Sequence, residues 1–392
     1  MVRKTALRIL MIAPQPCFDP RGAPFCVLQQ VKALIALGYE IDLVTYPMGR
    51  PLSLPGLQLF RAPAFPFIRS VRPGFSLAKF PLDLLVFWTA LCRLCVGQYR
   101  YLHTHEEAAL MGVLLAFLFR CKHLYTMHCD LSQLVGRLPL LIWLMKIAQC
   151  WMVRGADVVV TFYPELTERV RLLAPGKPVY MTLPPALDEA LPLPDEDELA
   201  CLRQALRLED GPVLLYTGTL APYQGLDLLL RSARIVTAHY PMVRYVIVGG
   251  TTQESGKLRA LARQLGVAHI VRFISQRPLE EMPALMALAD ILVSPRCAGT
   301  HTPLKLYTYL RSGKPILATN IMSHTQVLDA HTALLVPPLP AALAQGTMLL
   351  LQNPLHAHEL GLCGQQVAQR RHCWQAFLAQ NRLAYAAFAD GV

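Results

Sequence analysis

Two successive rounds of strand-then-helix signal, split by a proline- and acid-rich stretch, limit what this chain can fold into more than any other feature. In the first round, Leu7 to Ala13 is an apolar run suited to a parallel strand buried on both faces. A Pro/Gly loop, Pro14 to Pro24, follows. Val27, Leu28, Val31, Leu34, Ile35 and Leu37 then recur at helical spacing until Gly38 stops them. Further strands are expected over Ile41 to Thr45, Tyr99 to His103, His123 to Met127 and Asp157 to Phe162, with a helix starting near Glu107. Between Pro175 and Glu198 the composition shifts to Pro178, Pro184, Pro185, Pro192 and Pro194 followed by Asp195, Glu196, Asp197 and Glu198, which reads as a linker. The second round places strands at Val213 to Tyr216, Tyr245 to Val248, Ile270 to Ile274, Ile291 to Ser294 and Ile316 to Thr319. Its helices are expected at Leu226 to His239, Lys257 to Leu265, Leu279 to Leu288 and Pro303 to Arg311. The fold class is α/β, with two doubly wound, Rossmann-like units joined by a hinge. Ligands of such sheets bind at the carboxyl ends of the strands, so two facing units are expected to hold the active site in the crevice between them. A last helical stretch, Cys373 to Phe388, is placed to brace the two halves.

Length and composition agree with this plan. At 392 residues the chain exceeds one ordinary core and fits two domains of roughly 150 to 200 residues. Hydrophobic content of 54% against 16% charged residues excludes a disordered chain. The positive mean hydropathy raises the question of membrane spans. Phe80 to Gly97 carries Asp83 and Arg93, Ala108 to Phe119 is short, and Leu138 to Val153 contains Lys146, so none is a clean run of about 20 apolar residues. Met1 to Ala13 reads as a first strand rather than a signal peptide, and a cytoplasmic protein is expected. Eleven cysteines, an odd number at irregular spacing, point to reduced thiols. Cys92 and Cys95, a lone C-x-x-C, are expected to be packed in a helix.

The net charge of +11 asks for an acidic partner. No RNA-binding signature, zinc spacing or basic heptad helix accompanies it, so nucleic acid is not expected. Basic residues instead mix with aromatics at Phe60, Arg61, Phe65, Phe67, Arg69, Arg72, Phe75, Lys79, Phe80, Trp88 and Arg93, the composition of a surface that sits on anionic lipid at the inner face of a membrane. The alternative is a core lining with a solvated rim.

The segment from Ser294 to Pro315 carries the most chemistry. A strand runs into a small-residue loop, Thr302 is suited to an N-cap, and Pro303 suits the first helical position. Free amides and a positive dipole end then favour a phosphate, with Lys305 adding a full charge. The dipole disfavours a cation at that end, so a lysine there points to an anion, the alternative being a solvated surface lysine. No clustered His/Cys/Glu spacing indicates a metal, and no cofactor is expected.

Here a resemblance becomes specific. The run Thr302-Pro-Leu-Lys-Leu-Tyr-x-Tyr-Leu-x-Ser-Gly-Lys-Pro-Ile-Leu-Ala-Thr319 resembles the donor-site signature of glycosyltransferase family 4, whose members have a GT-B fold. Tyr216 to Leu230, Val246 to Gly250 and Ala289 to Pro295 match in the family's motif order. The first half matches more loosely, through Pro20-Arg21-Gly22-Ala23, His105-Glu106-Glu107 and Tyr125-Thr126-Met127-His128. The resemblance implies an acceptor domain over 1–185, a nucleotide-sugar donor domain over 186–370, and a C-terminal helix over 371–392 returning to the first domain. It also implies a retaining transferase that needs no protein nucleophile, because the leaving diphosphate takes the acceptor proton. His128 and Lys305 are then the catalytic candidates. Gly22, Thr219, Gln224, Gly249, Arg296, Gly299, Thr300, Thr302, Leu304 and Thr308 fall on the donor side, and Arg21, His105 and Glu106 on the acceptor or sugar side. His105 to Glu107 follow a strand end, where they either orient an acceptor hydroxyl or cap the next helix.

The departures from the family pattern define a variant subgroup. The usual two glutamates separated by seven residues are Thr300 and Thr308 here. The usual arginine and lysine on the diphosphate are Thr219 and Gln224. Three functional readings follow. One is a transferase acting on a lipid-linked or other glycan acceptor in polysaccharide synthesis. Another is a catalytically silent partner that binds a nucleotide sugar. A third is a nucleotide-sugar 2-epimerase, which would want more cleft carboxylates than Glu106 and Glu107.

Overall fold

A computed structural model describes residues 7–18, 22–68, 71, 76, 78–133, 138–208 and 211–390. The chain divides into two compact units, Met1–Pro184 with Gln375–Val392, and Pro185–Trp374.

Unit 1 holds the strands β1 (Arg8–Ala13), β2 (Glu40–Thr45), β3 (Leu57–Arg61), β4 (Tyr101–His105), β5 (Lys122–Met127), β6 (Val158–Thr161) and β7 (Val179–Met181). They form one sheet in the order β3-β2-β1-β4-β5-β6-β7, parallel throughout. Helices α1 (Gly22–Ala36), α2 (Lys79–Val96), α3 (Ala108–Phe119), α4 (Pro139–Gly155) and α5 (Pro164–Leu173) connect the strands. The apolar run of β1 serves both faces of the sheet. Ile9, Met11 and Ala13 join one core cluster and Leu10 and Ile12 the other, as a central parallel strand requires.

Unit 2 repeats the plan. Helix α6 (Glu196–Ala205) precedes β8 (Val213–Thr217), α7 (Leu226–Thr237), β9 (Arg244–Val248), α8 (Thr252–Gln264), β10 (Val271–Ile274), α9 (Met282–Ala287) and β11 (Ile291–Ser294). Then come α10 (Lys305–Arg311), β12 (Ile316–Thr319), α11 (Met322–Thr325), β13 (Leu334–Val336), α12 (Pro340–Gln352) and α13 (Pro354–Arg371). The strand order is β10-β9-β8-β11-β12-β13. In each sheet the order reverses between neighbours, β1 beside β4 and β8 beside β11, and the carboxyl ends at that reversal are where ligands of open α/β sheets bind. Helix α14 (Trp374–Asp390) closes the chain, and from Gln375 on it packs with unit 1.

Several expectations need correction. The acid-rich part of the expected linker is helical: Asp195 caps α6 by accepting from Glu198 N at 2.8 Å, and three acids fill its first turn, where the dipole favours them. Strand β4 runs two residues later than expected, because Tyr99 belongs to the preceding turn with its hydroxyl on Asp42. Cys92 and Cys95 are exposed on α2 rather than packed, and all eleven cysteines are free thiols. Within the basic-aromatic stretch, Arg69, Arg72 and Phe75 lie outside the described residues. Arg61 donates to the carbonyls of Pro47 and Arg50, and Arg93 stacks on the Phe60 ring at 3.9 Å. These two arginines are therefore spent on the fold. No helix among the described residues is long and apolar enough to cross a membrane.

Candidate active site

In unit 2 the ends of β8 and β9 are brought together by glycine. Gly249 has φ +142°, and a Cβ on it would stand 1.8 Å from the Gly218 carbonyl oxygen, so no other residue fits. Above this floor the Tyr216 hydroxyl donates to Thr219 O at 2.6 Å and fixes the turn. Gln224 donates to Thr219 Oγ1 at 3.3 Å, while its Oε1 is buried without a partner. Thr219 and Gln224 thus hydrogen-bond one another.

After β11 the chain forms a loop held by Arg296. The buried guanidinium donates through Nε to Ala298 O at 2.7 Å and through Nη1 to His301 O at 2.8 Å. Gly299 has φ +102°, and a Cβ there would stand 2.3 Å from Arg296 Nη2. Arg296 therefore shapes this loop through its hydrogen bonds and supplies charge to the surroundings. Thr300 O accepts from Gln326 Nε2 at 2.7 Å.

The expected N-cap is not formed. Helix α10 starts at Lys305, its N-cap position is Leu304, and no side chain caps it. Pro303 and Leu304 instead make tight turns, accepting from Leu306 N at 3.0 Å and Tyr307 N at 3.2 Å, which delays the helix past Thr302. Thr302 Oγ1 is buried and unpartnered. A helix of seven residues carries few aligned peptide dipoles, so the positive character rests on Lys305.

Lys305 is not a solvated surface lysine. Its Nζ is buried without a hydrogen-bond partner and sits 3.8 Å from the centroid of the Tyr216 ring. Burial, and secondly the Arg296 charge, push its pKa well below the ordinary lysine value. A cation over an aromatic face is attracted by the ring quadrupole, worth roughly 0.5–2 kcal/mol, which offsets only part of the desolvation. The ammonium is a strong donor with nothing to donate to among the described residues.

Two neighbours were not singled out from sequence. His324 accepts or donates through Nε2 to Ser294 Oγ at 2.9 Å and lies 2.8 Å through Nδ1 from Thr319 O. Burial lowers its pKa to about 4, with the Lys305 and Arg296 charges adding and the Thr319 carbonyl opposing. A lone histidine in a short turn gives no pattern to find it by. Tyr309 places its hydroxyl 2.9 Å from Thr217 N and so pins α10 to β8. Thr308 is buried and accepts from Leu187 N at 3.3 Å, tying α10 to the segment that opens unit 2.

In unit 1 the reversal point gathers histidines. His105, the last residue of β4, shares a 3.0 Å hydrogen bond between its Nδ1 and His128 Nε2, and its own Nε2 is buried without a partner. Burial, then the neighbouring His103 and His128, hold His105 well below the ordinary histidine pKa, so it is neutral near pH 7. The His128 ring lies 4.6 Å from the Phe162 ring. Glu106 leaves the strand with φ +52°, a left-handed conformation that costs a non-glycine residue about 1–2 kcal/mol. Burial first, then Glu107, raise its carboxyl to about 8, and Cys129 Sγ donates to Glu106 Oε2 at 3.3 Å. The helix-capping alternative does not occur: Glu107 makes no side-chain cap and pairs with Lys79 at 2.7 Å. Gly22 opens α1 with φ +56° and has open space around it, and Arg21 lies outside the described residues. Among the described residues no group of three or more His, Cys, Asp or Glu is arranged to hold a metal.

Comparison with known proteins follows this division. A family described as "Glycosyl transferase 4-like domain" matches residues 21–186, and one described as "Glycosyl transferases group 1" matches residues 211–353. The GDP-mannose-dependent alpha-(1-6)-phosphatidylinositol monomannoside mannosyltransferase of Mycolicibacterium smegmatis is 31% identical over 201 residues. That match takes in 49% of this chain and about half, 52%, of the relative. The D-inositol 3-phosphate glycosyltransferase of Acidothermus cellulolyticus is 26% identical over 382 residues, covering 89% of this chain and 84% of the relative. Among solved structures, HepE of Anabaena in complex with UDP superposes with a TM-score of 0.76 at 17% identity, over 97% of this chain and 100% of HepE. With a family 4-like half and a group 1 half, each built on its own parallel sheet, the chain belongs to the glycosyltransferase family 4-like proteins of GT-B fold.

Proposed function

We propose that the protein transfers a sugar from a nucleotide-sugar donor to an acceptor with retention, and that its donor diphosphate binds against Lys305. The observation that carries this reading is the Lys305 ammonium, buried, unpaired by any hydrogen bond and beside a second cation. A diphosphate oxygen at hydrogen-bond distance from Nζ would offset the desolvation and raise the lysine pKa toward its ordinary value. Gly218 lies beside that point, since a Cβ on it would stand 3.6 Å from Nζ. HepE binds UDP on the same fold, and a relative uses GDP-mannose, which supports a nucleoside diphosphate sugar.

In the reaction, the bond from the anomeric carbon to the diphosphate breaks and a bond from that carbon to an acceptor hydroxyl forms. The acceptor proton passes to the departing diphosphate. Lys305 stabilises the charge growing on that leaving group, more strongly in the transition state than in the bound donor. His105, held neutral, and His128 are assigned to the sugar hydroxyls, and Glu106 to the acceptor hydroxyl. The inositol-directed relatives favour a polyol-headed or lipid-linked acceptor.

The test is a thermal-shift panel of nucleotide sugars on the wild type and on Lys305→Ala, followed by product analysis with candidate acceptors. A donor-specific rise in Tm that Lys305→Ala loses supports the reading. An undiminished rise in Lys305→Ala removes the lysine from the site. A shift without turnover on any acceptor favours the silent binding partner, to which the neutral Thr219–Gln224 pair also points.

A further inference from the structure

Three helices of unit 1 are built the wrong way round for a surface in water. Helix α3 has no charged residue. It turns its small residues Ala108, Ala109, Gly112 and Ala116 to the protein and leaves Leu110, Leu114, Phe117 and Leu118 exposed, Phe117 at 82%. Helix α4 buries Gln149, whose Nε2 donates to Cys129 O at 3.4 Å, and exposes Leu140, Trp143, Leu144, Ile147 and Trp151. Those five recur at three- and four-residue steps and so form a single stripe. Helix α2 exposes Phe80, Leu84 and Trp88 in the same fashion. Helix α3 packs against both α2 and α4, so the stripes adjoin. Three of the four tryptophans of the chain are on this face. Scattered apolar residues on a surface need no explanation, but a contiguous face of this kind marks a docking site.

The charges say what docks. From Lys79 to Gly155 no acidic side chain is exposed: Asp83, Glu106 and Glu107 are half-buried and Asp130 is buried. Arg100, Arg120, Lys146 and Arg154 are exposed along the same stretch. A second copy of the chain on this face would set these cations against one another. A bilayer with anionic headgroups supplies an apolar interior, interfacial depth for tryptophan and counter-charge for the basic residues.

We infer that the α2–α3–α4 face of unit 1 inserts into an anionic lipid surface, with Phe117, Trp143 and Trp151 entering the acyl boundary. This surface takes in Phe80 and Trp88 from the basic-aromatic stretch that sequence composition marks and extends beyond it across α3 and α4. It is independent of the donor site, and vesicles without any sugar acceptor test it separately from transfer.

The full chain is mixed with vesicles of phosphatidylcholine alone and of phosphatidylcholine with phosphatidylglycerol, and bound protein is read by flotation. Tryptophan emission is followed with brominated acyl chains as quencher. The wild type is expected to float with the anionic vesicles, with blue-shifted and quenched emission and weaker binding at high salt. The Trp143→Gln/Trp151→Gln double variant is expected to lose roughly tenfold or more in partitioning, since both aromatic rings leave the acyl boundary. Arg120→Glu/Lys146→Glu should lose the preference for phosphatidylglycerol. All four positions changed are at the surface, and an unchanged Tm in each variant shows that the fold survives. The proposal is overturned if the wild type stays with the supernatant, or if the tryptophan variant floats as well as the wild type. A dimer that the tryptophan variant dissociates, with no vesicle binding, would instead assign the face to a second copy.

Discussion

Tyr385 Oη lies 2.6 Å from His103 Nδ1 although the two residues are 282 positions apart. The contact fixes a tautomer. Thr126 Oγ1 donates to Gln30 Oε1 at 3.5 Å, so its 2.7 Å contact with His103 Nε2 has the histidine as donor, and Nδ1 must accept from Tyr385. Gln30 Nε2 then donates to Asn381 Oδ1 at 3.4 Å, which returns the chain of hydrogen bonds to α14. His103 stacks on His105 with 4.4 Å between ring centroids, so the C-terminal helix positions the first histidine of the proposed sugar site.

Tyr385→Phe removes the donor and leaves His103 free to take the other tautomer. The expected cost is about 1–2 kcal/mol of stability, read by urea unfolding. Affinity for the nucleotide sugar and turnover should fall, while binding of the nucleoside diphosphate without its sugar stays unchanged, because Lys305 and its neighbours belong to the other unit. Loss of affinity for the sugar-free diphosphate would contradict the positioning role.

Glu106 gives a pH prediction whose sign follows from its carboxyl being raised from the model-peptide range to about 8. The native state holds a proton that the unfolded chain has already released above about pH 5. Glu106 therefore subtracts stability as pH rises, progressively from about pH 5 and fully only above pH 8. Glu106→Gln abolishes the titration. The variant should lose less stability than the wild type between pH 6 and pH 9, by on the order of 2 kcal/mol. Parallel unfolding curves at the two pH values would show that Glu106 is not held protonated. If the residue acts on the acceptor hydroxyl, the wild-type rate should also carry a limb near pH 8 that the variant lacks.

Much of the fold could be read before any coordinates. Strands β11 and β12 fall at the expected residues, because Asp290 and Pro295 bound one apolar run and Pro315 and Asn320 the other. Helix α6 was missed: its Asp-Glu-Asp-Glu start is a capping signal, but the surrounding prolines made the stretch read as a linker. The site was harder. Sequence marks Lys305 and its loop, but its nearest aromatic partner, Tyr216, comes from a distant strand that only the sheet order sets beside it. Thr302 shows how a good capping residue loses to a Pro-Leu turn. The outward faces of α3 and α4 were unreadable because apolarity in a sequence does not say which side meets the core.

Gly249 tests the floor of the proposed donor site. Alanine there would need φ +142° and would place its methyl against the Gly218 carbonyl. Gly249→Ala should lose roughly 2 kcal/mol or more in chemical denaturation, from the backbone strain and the displaced turn. Because Gly218 and Thr219 move with that turn, donor affinity should fall with it. Wild-type stability in the variant would mean that the β8 and β9 ends are looser than their geometry implies.

Lys305 sets stability against function. Its pKa is lowered in the folded protein, so the unfolded chain binds the extra proton. The penalty is absent above the unfolded value of about 10.4, grows as pH falls below it, and is complete below the folded value. At pH 7 Lys305→Met, of similar length and apolar beside Tyr216, should therefore be no less stable than the wild type without ligand, and more stable by about 1 kcal/mol if the aromatic contact is kept. With donor present the order reverses, because the variant forgoes a charge-assisted hydrogen bond worth about 1.5–3 kcal/mol. In the proposed binding mode the diphosphate would also raise the lysine pKa, so in the window between the free and bound values donor binding is expected to take up a proton and tighten as pH falls. Calorimetry of donor binding in two buffers of different ionisation enthalpy measures that proton directly. Uptake in the wild type and none in Lys305→Met is the expected pair of results, and equal uptake in both would place the titrating group elsewhere.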